Sequence, residues 1–182
     1  AVAPNPVNLG NARVGDVAPS QALNLTNLAA GPAEGLNAAF SSVSSGLTAT
    51  GSFNNLAAGV TNSSSLVVGL DTTTAGNKSG SATIALTSDG TFNSGVTTAL
   101  PSQDVAVTGA VYRAAQANTI TPNPVNLGAV REGGALGTTL SISNVAGDTG
   151  GFTETLGATV TSTTGNASTT GSISGLAHNA GA

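Results

Sequence analysis

The heptapeptide Pro4-Asn5-Pro6-Val7-Asn8-Leu9-Gly10 returns unchanged as Pro122-Asn123-Pro124-Val125-Asn126-Leu127-Gly128, 118 residues later. Two further matches follow in the same order. Leu23-Asn24-Leu25-Thr26-Asn27 aligns with Leu140-Ser141-Ile142-Ser143-Asn144 at an offset of 117. Gly51-Ser52-Phe53 and Leu56-Ala57 align with Gly171-Ser172-Ile173 and Leu176-Ala177 at an offset of 120. Colinear matches at a nearly constant offset mark a duplicated unit. Its length is that of one β-sandwich domain and several times that of a solenoid repeat.

Within the first copy the apolar residues alternate with polar ones, the signature of strands with one buried face. The alternation runs through Val7 and Leu9, Leu23 and Leu25, then Leu36, Ala38 and Phe40, and then Leu47 and Ala49. It resumes at Leu66, Val68 and Leu70, at Ala82, Ile84 and Leu86, and at Val105, Val107 and Val111. Ala58-Gly59, Gly76-Asn77 and Asp89-Gly90 supply turn signals between these runs. No stretch carries a helical stripe. The expected fold is all-β: tandem immunoglobulin-like antiparallel β-sandwich domains, the second one incomplete in this chain.

The expected boundaries are 1–112 for the complete sandwich repeat, 113–120 for a short linker, and 121–182 for the first half of a second copy. The linker has no Gly or Ser run, so a stiff, near-linear array is expected. The second copy stops before the counterpart of residues 62–112, which leaves an apolar face and sheet edges uncovered. Completion in the same polypeptide and completion by a strand from another chain both remain open.

Composition narrows function by exclusion. Four Lys+Arg cannot form the basic stripe that displaces counterions from nucleic acid, so no nucleic-acid partner is expected. The absence of Cys removes thiol chemistry and cysteine-ligated metals. Apolar runs are too short for a membrane span. With 7% charged residues, where about a quarter is usual, the surface offers few ion pairs for salt to screen and few sites for trypsin-like proteases.

The order of motifs resembles a known family. A "VNLG" opening at 7–10 is followed by "VGD" at 14–16, "LNLTN" at 23–27, "SGSATIALTSDG" at 79–90 and a closing "DVAVTGAVY" strand at 104–112. This succession is similar to the hydin-like immunoglobulin-fold repeats of bacterial choice-of-anchor D surface proteins. It covers the first copy and the first half of the second. One departure is the segment Val68-Gly69-Leu70-Asp71-Thr72, which lacks the aromatic and the proline of the family's corresponding strand. The resemblance implies secreted or surface-attached multi-repeat proteins with a structural or adhesive role and no catalytic residues to carry over.

Catalytic candidates are few. His178 is the single His; it falls in a turn signal, and the matching stretch of the first copy has none, so it is read as an exposed turn residue. The carboxylates Asp71, Asp89, Asp104, Asp148 and Glu154 form no close sequence pair of the kind a glycosidase uses. Calcium needs six to eight oxygens; near the joint stand only Asp16, Arg113, Arg131 and Glu132, whose charges cancel, so calcium is not expected. Thr-X-Thr pairs such as Thr48/Thr50 are read as outward strand positions. Asn-X-Ser/Thr triplets at Asn24, Asn62, Asn77 and Asn166 are as frequent as composition alone dictates. No catalytic, cofactor or metal residue is assigned.

The expected function is therefore a non-enzymatic structural or adhesive module of a bacterial extracellular surface protein, forming a stalk, fibre or layer. Its expected partners are other copies of itself or neighbouring repeats, paired through strands of the incomplete copy. The alternative is an extracellular binding module that recognises a glycan or host protein through its loops, against which the small stock of aromatics (one Tyr, four Phe) argues.

Overall fold

The repeated heptapeptide moves the chain from one sheet to another. In the computed structural model, which describes residues 2–147 and 150–182, β1 (Val2–Ala3) pairs with β3 (Ser20–Thr26). The next strand, β2 (Val7–Arg13), joins the opposite sheet beside β9 (Thr97–Tyr112). Pro4 and Pro6 lack the N–H that a ladder needs, so neither sheet continues through them. Asn5 bridges the gap with its side chain: Nδ2 donates to the Asp104 carbonyl at 2.8 Å, and Oδ1 accepts the Ala106 N–H at 3.1 Å. Asn5 and Val7 meet Asp104 and Thr108, and Gly10 lies against Gly109, so β2 and β9 run in the same direction.

The first compact unit, Ala1–Val111, is a β-sandwich. One sheet has the order β1-β3-β7-β5, with β5 at Leu47–Thr50 and β7 at Thr61–Leu70. The other has the order β2-β9-β8-β4-β6, with β4 at Gly35–Val43, β6 at Ser52–Leu56 and β8 at Gly76–Asp89. Apart from β2 beside β9, the neighbours pair antiparallel. The described residues contain no helix.

Alternation places the core. Leu23, Leu25, Leu66, Val68 and Leu70 of one sheet are buried against Ala82, Ile84, Val105, Val107 and Val111 of the other. Each fully buried Leu or Val stabilises by about 1.5–3 kcal/mol relative to exposure, which lets aliphatic side chains fill the sandwich without Trp or Cys. All seven runs read from the sequence lie in strands. Two details differ. Residues 52–56, not singled out as a strand, form β6 along β4. Gly76-Asn77, read as a turn, opens β8, because Val111 and Ala110 stand opposite as ladder partners. The turn falls earlier, where Asp71 Oδ1 accepts both the Thr73 N–H at 2.9 Å and the Thr73 hydroxyl at 2.7 Å.

The second unit, Tyr112–Ala182, repeats parts of this geometry. Its strands β10 (Leu156–Thr159) and β11 (Ser172–Leu176) pair as Leu156↔Leu176, Ala158↔Ile173 and Thr159↔Ser172, with an irregularity between Leu156 and Ala158. These are the counterparts of Leu36↔Leu56, Ala38↔Phe53 and Ala39↔Ser52 in β4 and β6, irregularity included. Residues 113–120, expected as a linker, are bonded into this unit. Arg113 N–H donates to the Phe152 carbonyl at 2.8 Å, Val145 N–H to Gln116 at 2.7 Å, and Asn118 N–H to Ser143 at 3.0 Å. Thr121 stands opposite Ser141 as Ala3 stands opposite Asn24. The segment thus leads directly into the counterpart of β1 at Thr121.

Candidate functional site

The register of β4 and β8 puts Gly35 opposite Asp89, and this sets Glu34 close to Asp89. Sequence spacing gives no sign of that pair, since the two residues meet only through strand register. All four carboxylate oxygens are occupied. Glu34 Oε2 accepts the Ser88 hydroxyl at 2.6 Å and Oε1 accepts the Ser94 hydroxyl. Asp89 Oδ1 accepts the Thr91 N–H at 3.0 Å and the Thr91 hydroxyl, while Oδ2 accepts Asn37 Nδ2 at 3.0 Å. The Ser88 and Ser94 hydroxyls hold the Glu34 carboxyl below the usual carboxylate range, against the opposing influence of Asp89. The Thr91 hydroxyl, then the Asn37 amide, does the same for Asp89. A general acid needs its pKa raised; these two are held ionised, as acceptors that tie residues 90–96 to the end of the sandwich.

The remaining sequence candidates are dispersed. Asp71 caps its own turn, and the Thr73 hydroxyl and N–H lower its pKa. Asp104 Oδ1 accepts the Thr83 hydroxyl at 2.6 Å across β8 and β9. The main-chain carbonyl of Glu154 accepts Asn144 Nδ2 at 3.0 Å. Asp148 lies outside the described residues. His178 does sit in a turn, but it is half-buried rather than exposed, with Nδ1 unpaired among the described residues. The reason is a long-range contact: Asn179 N–H donates to the Asn144 carbonyl at 2.9 Å and draws the turn inward. Among the described residues no three His, Cys, Asp or Glu side chains gather as metal ligands.

What the two copies share is a hydrogen-bonding framework built on asparagine. Asn27 and Asn144 are both buried, and each spans a loop to the strand that follows it. Gly10 N–H donates to Asn8 Oδ1 at 2.9 Å, and Gly128 N–H to Asn126 Oδ1 at 2.9 Å. The turn closing on each buried asparagine needs a left-handed residue, supplied by Gly59 at φ 77° in one copy and Asn179 at φ 57° in the other.

The copies differ in what covers them. Val7 is 3% exposed in β2, whereas Val125 of the identical heptapeptide is 45% exposed and residues 125–131 form no strand. Leu23 is 0% exposed and its counterpart Leu140 is 38% exposed. The second unit thus keeps an open cleft of about 440 Å³, lined by aliphatic residues such as Leu140, Ile142 and Ile173 and by hydroxyl residues such as Thr139, Thr159 and Thr170. In the first unit the corresponding strands are covered by β7, β8 and β9. One aromatic stands out elsewhere: Phe92, on the 90–96 loop, is 81% exposed.

Comparison of the chain with family models and with curated proteins finds no match.

Proposed function

We propose that the chain is a non-enzymatic structural or adhesive module of a bacterial extracellular surface protein. In this reading it is a tandem array of immunoglobulin-like β-sandwiches that forms a stalk, fibre or layer. One observation carries the reading. The side chains that act alike in both copies, Asn8/Asn126 and Asn27/Asn144, bond main-chain groups and so maintain the scaffold. A unit duplicated for its shape is selected for spacing and contact. The sequence resemblance to surface repeats supports the extracellular placement, and the sparsely charged surface suits a medium of variable ionic strength.

The test is immunogold labelling of intact source cells with an antibody raised against this chain. Label on the outer surface, without permeabilisation, is the expected result. Label confined to the cytosol overturns the reading, as does turnover of any substrate that disappears on His178→Ala or Asp104→Asn.

Phe92 favours a second reading, an extracellular binding module acting through its loops. The 90–96 loop carrying it is fastened to residues 33 and 34 by Asn93 Nδ2, which donates to the Ala33 carbonyl at 3.3 Å, and by the Ser94 hydroxyl on Glu34. An aromatic face held on a fastened loop is what a sugar ring or a protein partner stacks upon. Glycan-array binding that is lost on Phe92→Ala would establish this reading.

A further inference from the structure

We propose that one end of the first unit, formed by residues 27–34, 57–60 and 90–96, is a docking surface for a protein segment that carries basic side chains among apolar ones. The inference rests on the loop-binding reading above and names the chemistry of its partner.

Strand register gathers the three loops. Thr26 stands opposite Thr61, Leu36 opposite Leu56, and Asp89 opposite both Gly35 and Thr97. The last residues of β3, β6 and β8 and the first of β4, β7 and β9 therefore lie at the same end of the sandwich. Hydrogen bonds then tie loop to loop. Asn27 N–H donates to the Val60 carbonyl at 3.0 Å, Asn27 Nδ2 reaches the Glu34 and Leu56 carbonyls, and the Ser94 hydroxyl closes on the Glu34 carboxylate.

Apolar side chains concentrate on this frame. Among its described residues the first unit exposes seven large hydrophobic side chains, and four of them, Leu28, Val60, Phe92 and Val96, stand on these loops. Leu28 is 77% exposed. A segment running ahead of a repeat does not cover that position. In the second unit the Gln116 carbonyl accepts the Val145 N–H at 2.7 Å, yet Val145, the counterpart of Leu28, is still 46% exposed. Groups held on a fastened frame lose little freedom when a partner covers them, and aromatic side chains are enriched where proteins meet.

Charge selects the partner. Glu34 and Asp89 stand at this end, both held ionised. Lys78 lies near the start of β8 and Arg13 closes β2, both at the other end of the unit, so no Lys or Arg accompanies the two carboxylates. A basic side chain is drawn to the carboxylates and to the ring face of Phe92, and its apolar neighbours cover Leu28, Val60 and Val96. A sugar fits less well, because the companions of Phe92 are aliphatic and all four carboxylate oxygens already accept hydrogen bonds. A second copy meeting this one end to end would set carboxylates against carboxylates.

Leu28 and Phe92 are exposed, so Leu28→Ser and Phe92→Ser are expected to leave the sandwich folded, which far-UV circular dichroism checks. A phage-displayed library of random dodecapeptides is selected on the full chain, with the Leu28→Ser/Phe92→Ser chain as counter-target. Enriched peptides are expected to combine Arg or Lys with Leu, Phe or Trp. A synthetic peptide of the most enriched sequence is expected to bind the full chain saturably in fluorescence anisotropy. Phe92→Ser should weaken that binding at least about tenfold, and added salt should weaken it too. No enrichment over the counter-target, enriched peptides without basic residues, or binding indifferent to Phe92→Ser or to salt overturns the proposal. So does a homodimer, or adsorption to phosphatidylcholine vesicles, that Phe92→Ser abolishes, since the apolar end would then have another occupant. Failure of the parent reading is distinguishable: glycan-array binding lost on Phe92→Ala, with no basic peptide selected, keeps that reading and removes this one.

Discussion

Asn27 and Asn144, 117 residues apart, make the same hydrogen bonds to matching partners. Nδ2 of Asn27 donates to the carbonyls of Glu34 at 3.2 Å and Leu56 at 2.9 Å; Nδ2 of Asn144 donates to those of Glu154 at 3.0 Å and Leu176 at 3.3 Å. Their main-chain N–H groups donate to Val60 at 3.0 Å and to Ala180 at 3.3 Å. A buried amide side chain satisfies carbonyls at the ends of strands, Leu56 and Leu176, and just before them, Glu34 and Glu154, and such acceptors are costly when left unpaired. The second unit keeps this bond set beside its open cleft.

Removing the donor should therefore be expensive. Asn27→Ala is expected to destabilise the first unit by about 2–4 kcal/mol, since two carbonyls lose the donor of a side chain that is 6% exposed. Urea unfolding followed by Tyr-independent far-UV circular dichroism checks this. An unchanged midpoint would show that the two carbonyls are hydrated.

Matched leucines should differ in cost. Leu23→Ala empties a fully buried position and is expected to cost about 3 kcal/mol, whereas Leu140→Ala, at a position 38% exposed, is expected to cost less than about 1 kcal/mol. Hydrogen exchange read separately over residues 1–111 and 112–182 distinguishes the two losses.

Acid should loosen the 90–96 loop. Glu34 and Asp89 are held below the usual carboxylate range in the folded chain. Groups so depressed contribute stability that is present above their unfolded pKa and is lost as pH falls through the folded value. The protection of amides 90–96, taken relative to the intrinsic exchange rate at each pH, is thus expected to be retained at neutral pH and to be lost on acidification below the usual carboxylate range. In Glu34→Gln the change over that window should be smaller. Equal pH profiles for the variant and the parent would remove Glu34 from the account.

Trypsin should cut first after Arg131. That residue is exposed in a stretch without strand, while Lys78 is buried in β8 with Nζ donating to Thr74 Oγ1 at 2.9 Å. Proteolysis needs local opening, and strand interiors open least. Mass spectrometry of a short digest is expected to show the fragments 1–131 and 132–182. A first cut after Lys78 would contradict the burial of β8.

The strands of the first unit were legible because their cause is local. Leu66, Val68 and Leu70 announce a strand by their spacing, and all three are buried. β6 was less legible: Phe53 and Leu56 are only partly buried along the edge of the sheet, so no clean alternation marks it. The acidic cluster was not legible at all, because Glu34 and Asp89 come together only through the pairing of β4 with β8. The half-burial of His178 likewise depends on a bond from its neighbour Asn179 to distant Asn144.

The sequence by itself determined the duplication, the all-β class and the inward side chains of the first unit, since identity and period-two alternation are properties of short segments. The tertiary structure decided what each copy of one heptapeptide becomes. Val7 is buried where β9 lies beside it, and Val125, with the same six neighbours, stays exposed. A strand is formed by its partner as much as by its own residues, because ladder hydrogen bonds and face burial are supplied from elsewhere in the chain.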